Sequence, residues 1–227
     1  MTSLAKATIL PSAFFNRDPR RVARALLGKL LVRTTPSGIL AGRIVETEAY
    51  LGKDDAAAHS ASGKTARNAV LFGPPGHAYV YFIYGNYYCL NVSCLPDGVP
   101  GGVLFRALEP IEGIEKMARA RGVDLQALES RLVELRKAGD RKTISCLRTI
   151  SSGPGRMAEA LSVTRARDND KSFVSIRSDL RIVDDGYRVR SVIAGPRVGI
   201  TKSAERPFRY RIANNPFVSG TVPSFKD

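Results

Sequence analysis

An arginine in the middle of an apolar run constrains this chain more than any other single feature. Arg106 stands within Val103-Leu-Phe-Arg-Ala-Leu108, a stretch that reads as a buried strand. A guanidinium left unpaired in such a place costs about 3–5 kcal/mol, so a carboxylate has to come to it. Arg43-Ile-Val-Glu-Thr-Glu-Ala-Tyr-Leu-Gly offers two. Ile44 and Val45 look like the buried end of a strand, and continued alternation puts Glu46 and Glu48 on one face, with Val45, Thr47 and Ala49 on the other. Glu48 is the natural partner of Arg106. The alternative is a structural ion pair with another acid, both glutamates being solvated.

Charge narrows the choice of partner. The chain has 227 residues, enough for one good-sized core, and is read as a single domain over 1–227. Its 35 Lys and Arg against 21 Asp and Glu give a formal charge of +14 and a pI near 10.1. A folded chain this basic points to nucleic acid first, with ribosomal and membrane-surface proteins as alternatives. The charge is spread along the chain, with denser patches at Arg136–Arg148 and Arg197–Arg211, which suits a face tracking phosphates better than a basic tail. No apolar run is long enough to span a membrane, and the N-terminus does not read as a signal peptide. Cys89, Cys94 and Cys146 lack the partners a zinc site needs, so they read as reduced thiols of a cytoplasmic protein, with no metal expected.

In chain order, Asp18-Pro19 opens a helix with an apolar stripe of Val22, Ala23, Leu26 and Leu27. Lys29–Thr34 and Ile39–Glu48 are predicted strands joined by Thr35-Pro-Ser-Gly38. Tyr50 to Pro75 reads as a long loop with a short helix around Thr65–Leu71, and because it carries Tyr50, His59 and Arg67 it is a candidate functional loop. Two β-rich runs flank Gly85-Asn86, which suits a two-residue hairpin turn. That puts Tyr84 at a tip on a basic protein, suggesting a wedge between bases; Tyr81 is also read as functional, whereas Tyr79, Tyr87 and Tyr88 are read as sheet-builders. Glu109-Pro110 is expected to end the Arg106 strand. One helix carrying Glu115, Lys116, Arg119 and Arg121 follows, then another with a stripe of Leu125, Leu128, Leu132 and Leu135. Ser151-Ser-Gly-Pro-Gly-Arg reads as a basic loop that contacts a phosphate backbone and opens a helix at Met157–Leu161. Strands are predicted at Ser172–Ile176, Leu180–Val183, Tyr187–Ile193, Arg197–Ile200 and Phe208–Ile212. The fold expected is α+β: a single mixed domain with a curved antiparallel sheet, surrounding helices and a protruding β-hairpin.

Three stretches together carry a resemblance. Arg43 to Gly52 with His59, Tyr79-Val-Tyr-Phe-Ile-Tyr-Gly-Asn-Tyr with Asn91, and Arg106-Ala-Leu-Glu-Pro-Ile-Glu-Gly resemble the alkyladenine (3-methyladenine) DNA glycosylases of the mammalian methylpurine type. The similarity runs from about Leu26 to Met117 and resumes at Ser152-Gly-Pro-Gly-Arg and Arg197-Val-Gly-Ile; between Ala118 and Ile150, and from Ser162 to Arg190, nothing aligns. The resemblance implies a base-excision repair enzyme that flips damaged purines out of double-stranded DNA and hydrolyses the N-glycosidic bond without metal or organic cofactor. It implies Glu48 as the general base, and Arg106 with the main-chain carbonyl of Val198 as groups that position the water. Tyr50, His59 and Tyr81 would sandwich the base, Asn91 would crowd the amine of guanine, Tyr84 would intercalate, and Thr65 and Arg67 would lie near phosphates. His77 has no implied role and is read as structural. No lysine falls where a Schiff-base nucleophile would stand, so a monofunctional enzyme is expected, working as a monomer. The competing reading is a non-enzymatic module that binds distorted DNA or RNA.

Overall fold

The computed structural model describes residues 3–83, 85–124 and 141–220. Strands β1 (Thr8–Ile9), β2 (Leu30–Thr35), β3 (Gly38–Tyr50), β4 (Ala78–Ile83), β5 (Tyr87–Ser93), β6 (Gly102–Glu112), β7 (Leu180–Asp184), β8 (Val192–Gly195) and β9 (Arg209–Ile212) form one antiparallel sheet among the described residues. Its order is β1-β7-β2-β3-β6-β5-β4, with β9 on β3 and β8 on β9. The sheet curls into a half-barrel, and helices α1 (Ser12–Phe15), α2 (Pro19–Leu26), α3 (Ile114–Ala120), α4 (Arg141–Ser151), α5 (Pro154–Ala160) and α6 (Arg165–Asp168) accompany it. The expected α+β fold with a curved antiparallel sheet is what the chain adopts.

β3 is the strand that the others use. Its first half pairs with β2 (Thr35↔Gly38 through Leu30↔Arg43), and past the end of β2 the same edge takes β9 at Glu46↔Arg211 to Glu48↔Arg209. The other edge pairs with β6 along its length, with register shifts between Ile44/Glu46 and Glu46/Thr47. Glu46 pairs with Ala107 and Thr47 with Phe105, so Arg106 is the odd residue of a bulge. Bulges bend a strand and re-aim one side chain, and this one turns Arg106 toward the carboxylates of β3. Every residue from Leu40 to Ala49 is buried. On the Thr47 face lies α2, to which the Thr47 hydroxyl donates at the Ala23 carbonyl, 2.9 Å. Glu46 and Glu48 face the other way, as alternation requires.

The α2 prediction holds in detail. The Asp18 carboxylate accepts from the Arg20 amide at 2.8 Å, Pro19 takes the first turn, and Val22, Ala23 and Leu26 are buried against β3 and β6 in the main core with Phe105, Ala107 and Leu108. Elsewhere the sequence misplaces boundaries. The β4–β5 hairpin closes at Ile83↔Tyr87, so three residues separate the strands and not two; Tyr84 lies outside the described residues. β6 continues through Pro110 to Glu112, because Gly42 pairs with Pro110 at a register shift where the ladder asks nothing of a proline N–H. The segment before Ser152 is helix α4, and α5 begins at Pro154, three residues before the expected Met157. Ser172–Ile176 contributes one isolated bridge, His77↔Ser172, and Arg197–Ile200 is not a strand. In that last case Arg197 is consumed by a buried ion pair, which β-propensity alone does not register. The leucine stripe at 125–135 lies outside the described residues. No described helix is long and apolar enough to cross a membrane.

The segment from Leu51 to His77 connects β3 to β4. It holds two short 3-10 turns, Gly52–Asp54 and Ala69–Phe72, the second displaced from the predicted Thr65–Leu71. Gly52 has φ +76°, and a Cβ there would lie 2.3 Å from the Pro100 carbonyl oxygen. Gly52→Ala is therefore expected to cost about 2 kcal/mol or more, since a left-handed backbone alone costs 1–2. A melting temperature lowered by several degrees is the check, and an unchanged one would show that the turn re-forms freely.

Candidate active site

Glu48 is fully buried, and both of its carboxylate oxygens have polar partners. Its Oε1 lies 3.3 Å from Arg106 Nη1 and accepts from the Val198 amide at 2.8 Å, and its Oε2 accepts from the Tyr50 hydroxyl at 2.9 Å. Burial pushes the Glu48 carboxyl above its ordinary range; Arg106, the Val198 amide and Tyr50 pull the other way without overcoming it, and the neighbouring Glu46 adds to the rise. A carboxylate so held is more basic than a solvated one and fixed in direction. Burial and the adjoining Glu48 push the Tyr50 phenol far up, so it stays a donor.

The expected Arg106 partner is thus present, together with one the sequence did not single out. Arg106 Nε donates to Glu46 Oε1 at 3.0 Å, so the guanidinium bridges both glutamates of β3. Val198 reaches Glu48 through its N–H.

Aromatic residues form the adjoining wall. His59 and Tyr81 meet edge to face with ring centroids 4.5 Å apart, and the Tyr79 hydroxyl lies 2.9 Å from His59 Nδ1. Burial, helped by Arg67, lowers the His59 pKa, so the imidazole is neutral at pH 7. Asn91 is buried, its amide donating to the Tyr79 carbonyl at 3.0 Å. The loop carrying His59 is stitched by Asn68, whose amide donates to the carbonyls of His59 and Gly63 at 2.9 and 3.0 Å. Behind Tyr50, the buried Arg197 guanidinium lies 4.6 Å from the ring centroid and pairs with the equally buried Asp55 through contacts of 2.5 and 2.7 Å.

Two cavities meet here. One of about 200 Å³ is lined by Tyr50, His59, Arg67, Tyr79, Tyr81 and Asn91 among others. The other, about 490 Å³, is bounded by Arg106, Val198, Gly153–Arg156, Ser219 and Gly220. They share Tyr50, Tyr81, Ile83, Gly199 and Ile200. The structure thus brings together Glu48, Arg106, Val198, Tyr50, His59, Tyr81, Asn91 and Arg67. Thr65 is exposed and lines neither cavity, its amide donating to Asn68. His77 lies 3.0 Å from Asp170 and lines neither cavity. Among the described residues no His, Cys, Asp or Glu cluster could hold a metal ion.

Comparison with known proteins settles the kinship. The chain matches the methylpurine-DNA glycosylase family over residues 13–216. The chain belongs to that family. A protein of Koribacter versatilis, provisionally named a 3-methyladenine DNA glycosylase, is 64% identical over 219 residues, covering 96% of this chain and 97% of its own. Relatives under the same provisional name in Methanocella arvoryzae and Burkholderia cenocepacia are 44% and 43% identical, over 95% of this chain and 98% and 93% of theirs. The family match extends across 118–150 and 162–190, where motifs alone aligned nothing. Membership places the protein among DNA-repair glycosylases, enzymes that act on DNA, as the resemblance implied.

Five further residues complete this site: Glu46, Tyr79, Asp55, Arg197 and Ser219. Glu46 carried a signal, since it shares a face with Glu48. Tyr79 builds the sheet in β4 as expected, and its hydroxyl in addition meets His59. Asp55 and Arg197 lie 142 residues apart, and Ser219 carries no local signal at all.

Proposed function

We propose that the protein is a monofunctional 3-methyladenine DNA glycosylase that takes a damaged purine, flipped from duplex DNA, into the smaller cavity and hydrolyses its N-glycosidic bond. The observation that carries this reading is Glu48: a buried, directed carboxylate of raised pKa whose three partners line the cavities, Tyr50 both of them and Arg106 and Val198 the larger. The purine stacks among Tyr50, His59 and Tyr81, while sugar and water occupy the larger space beside Arg106 and Val198. Glu48 takes a proton from the water as its oxygen bonds to C1′; the C1′–N bond breaks and its electron pair leaves with the purine. The carboxylate also stabilises positive charge on the sugar in the transition state.

The neutral His59 supports selection. If it accepts the Tyr79 proton at Nδ1, it carries its own on Nε2 and presents a donor to the purine edge. Asn91, held by the Tyr79 carbonyl, crowds the exocyclic amine that guanine carries and hypoxanthine lacks, so normal guanine is excluded by a clash. Tyr84 fills the vacated stack, with Arg67 and Thr65 near the backbone, and the enzyme works as a monomer. Among the described residues no lysine lines either cavity, which supports hydrolysis without an amine nucleophile.

The test is base release from duplexes carrying hypoxanthine or ethenoadenine and from methylated DNA, with the strand analysed before and after alkali. Free base with a strand that breaks only in alkali is expected; nicking without alkali by the pure protein would overturn the monofunctional assignment. The pH profile adds a second check. Because Glu48 must be ionised and its pKa is raised, the rate falls on the acid side at a pH above the ordinary glutamate range. Tyr50→Phe removes a hydrogen bond that lowers this pKa, so the acid limb moves to higher pH, and a limb that stays or moves down would refute that electrostatic account.

A further inference from the structure

A second buried carboxylate, Glu46, lies beside Glu48, and the proposed hydrolysis gives it no task. Glu46 Oε1 accepts from Arg106 Nε at 3.0 Å, from Arg209 Nε at 2.6 Å and from the Ser219 hydroxyl at 3.0 Å, while its Oε2 accepts from the Ser219 amide at 2.6 Å. Ser219 Oγ in turn accepts from Arg106 Nη2 at 3.2 Å. The segment around it is held as firmly: Arg209 donates to the Ser219 carbonyl at 3.0 Å, and Arg148 to the carbonyls of Val218 and Gly220 at 2.8 and 3.0 Å. Ser219 and Gly220 also line the larger cavity.

Four donors already engage this carboxylate, from two guanidiniums and both polar groups of Ser219, so Glu46 is committed to the protein and does not duplicate Glu48. What it can do is aim a guanidinium. Arg106 places Nε on Glu46, Nη1 on Glu48 and Nη2 on Ser219, so all three nitrogens of its planar fork are fixed. An arginine facing Glu48 alone would hold that carboxylate's charge more tightly and weaken it as a base. Sharing it with Glu46 divides its charge.

We propose that Glu46 is a positioning residue for base excision: it shares Arg106 with Glu48 and, through Ser219, makes residues 217–220 part of the machinery that aims that arginine. The inference rests on Glu48 being the base. The groups facing Glu48 are Arg106 on β6, Tyr50 and Glu46 on β3, Cys89 on β5, and the Val198 amide and Arg197 from the β8–β9 connection. Among the described residues that hydrogen-bond Arg106 without bonding Glu48, Glu46 is the one bearing charge.

Single-turnover base release at saturating enzyme is measured against pH for wild type, Glu46→Gln, Ser219→Ala and Glu48→Gln, with lesion-duplex affinity and melting temperature recorded for each. Glutamine keeps an acceptor for Arg106 Nε but removes the charge. The plateau rate of Glu46→Gln is expected to fall about tenfold or more with affinity unchanged, and its acid limb to move to lower pH, because Arg106 then faces Glu48 unshared. Ser219→Ala keeps both carboxylates, so its plateau rate falls without movement of the limb. A folded Glu46→Gln with wild-type plateau and limb overturns the proposal. If Glu46→Gln fails to fold, a wild-type rate in Ser219→Ala overturns it and a reduced rate with an unmoved limb supports it. An active Glu48→Gln is a different failure, that of the base assignment itself.

Discussion

Glu48→Gln is expected to lower single-turnover base release by about a hundredfold to ten-thousandfold, the range that a positioned general base supplies, while lesion-duplex binding stays within a few-fold. Glutamine is isosteric and retains an acceptor for the Val198 amide or the Tyr50 hydroxyl, so the local geometry has little reason to change. Arg106 loses one carboxylate but keeps Glu46 and Ser219. What disappears is the charge: nothing remains to take the proton from water or to face the positive sugar. Stability should move in the opposite direction. An acid whose pKa is raised on folding favours the fold below its unfolded pKa and loses that contribution as pH rises through the folded value, so at neutral pH ionised Glu48 penalises the native state. The glutamine variant should therefore melt at the same or a higher temperature at pH 7, with the difference vanishing in acid. Release within tenfold of wild type would remove Glu48 from the mechanism, and a large loss accompanied by a collapse in melting temperature would mark a structural carboxylate instead.

Much of this site was legible because its chemistry conflicts with its surroundings. Arg106 in an apolar strand demanded a carboxylate, and β3 offered Glu46 and Glu48 on one face; the structure joins Arg106 to both, at 3.0 and 3.3 Å. The α2 start at Asp18-Pro19 was legible for a local reason, since a cap and a proline act within one turn. What escaped was non-local or irregular. Periodicity cannot reveal the bulge that makes Arg106 unpaired on β6, because a bulge is a property of two strands in register. The same holds for β9, which joins β3 beside the glutamates from some 160 residues away and delivers Arg209 to Glu46. Arg197–Ile200 looked like a strand by composition, yet Arg197 is spent on Asp55 and the following amide on Glu48. Hairpin length was misjudged because Gly85-Asn86 suits a two-residue turn, whereas pairing of Ile83 with Tyr87 leaves three residues between the strands.

Arg197→Met is expected to be the most destabilising single change near the site. It leaves Asp55 buried and ionised with its guanidinium gone, and breaking a buried pair from one side costs about 3–5 kcal/mol. For a chain of this size that corresponds to a melting temperature lowered by roughly 10 °C or more. The pH dependence identifies the cause. Burial by itself would push the Asp55 carboxyl up, but Arg197 and the amides of Leu51 and Ala57 more than offset this, so in the wild type it lies below its ordinary value. Its contribution to stability is present above the unfolded pKa and is lost as pH falls through the folded one. Without Arg197 burial dominates, so the deficit relative to wild type should be largest at neutral pH and shrink as the carboxyl protonates. Arg197→Met combined with Asp55→Leu should regain most of the stability, since an apolar pair replaces a buried ionic one at little cost. Base excision should not return with it, because Tyr50 has then lost the guanidinium behind its ring and the Leu51 and Ala57 amides have lost the carboxylate that orders them. Recovery of both stability and excision in the double variant would reduce the Arg197–Asp55 pair to scaffold; recovery of stability alone would make it the support on which the base-stacking wall is built.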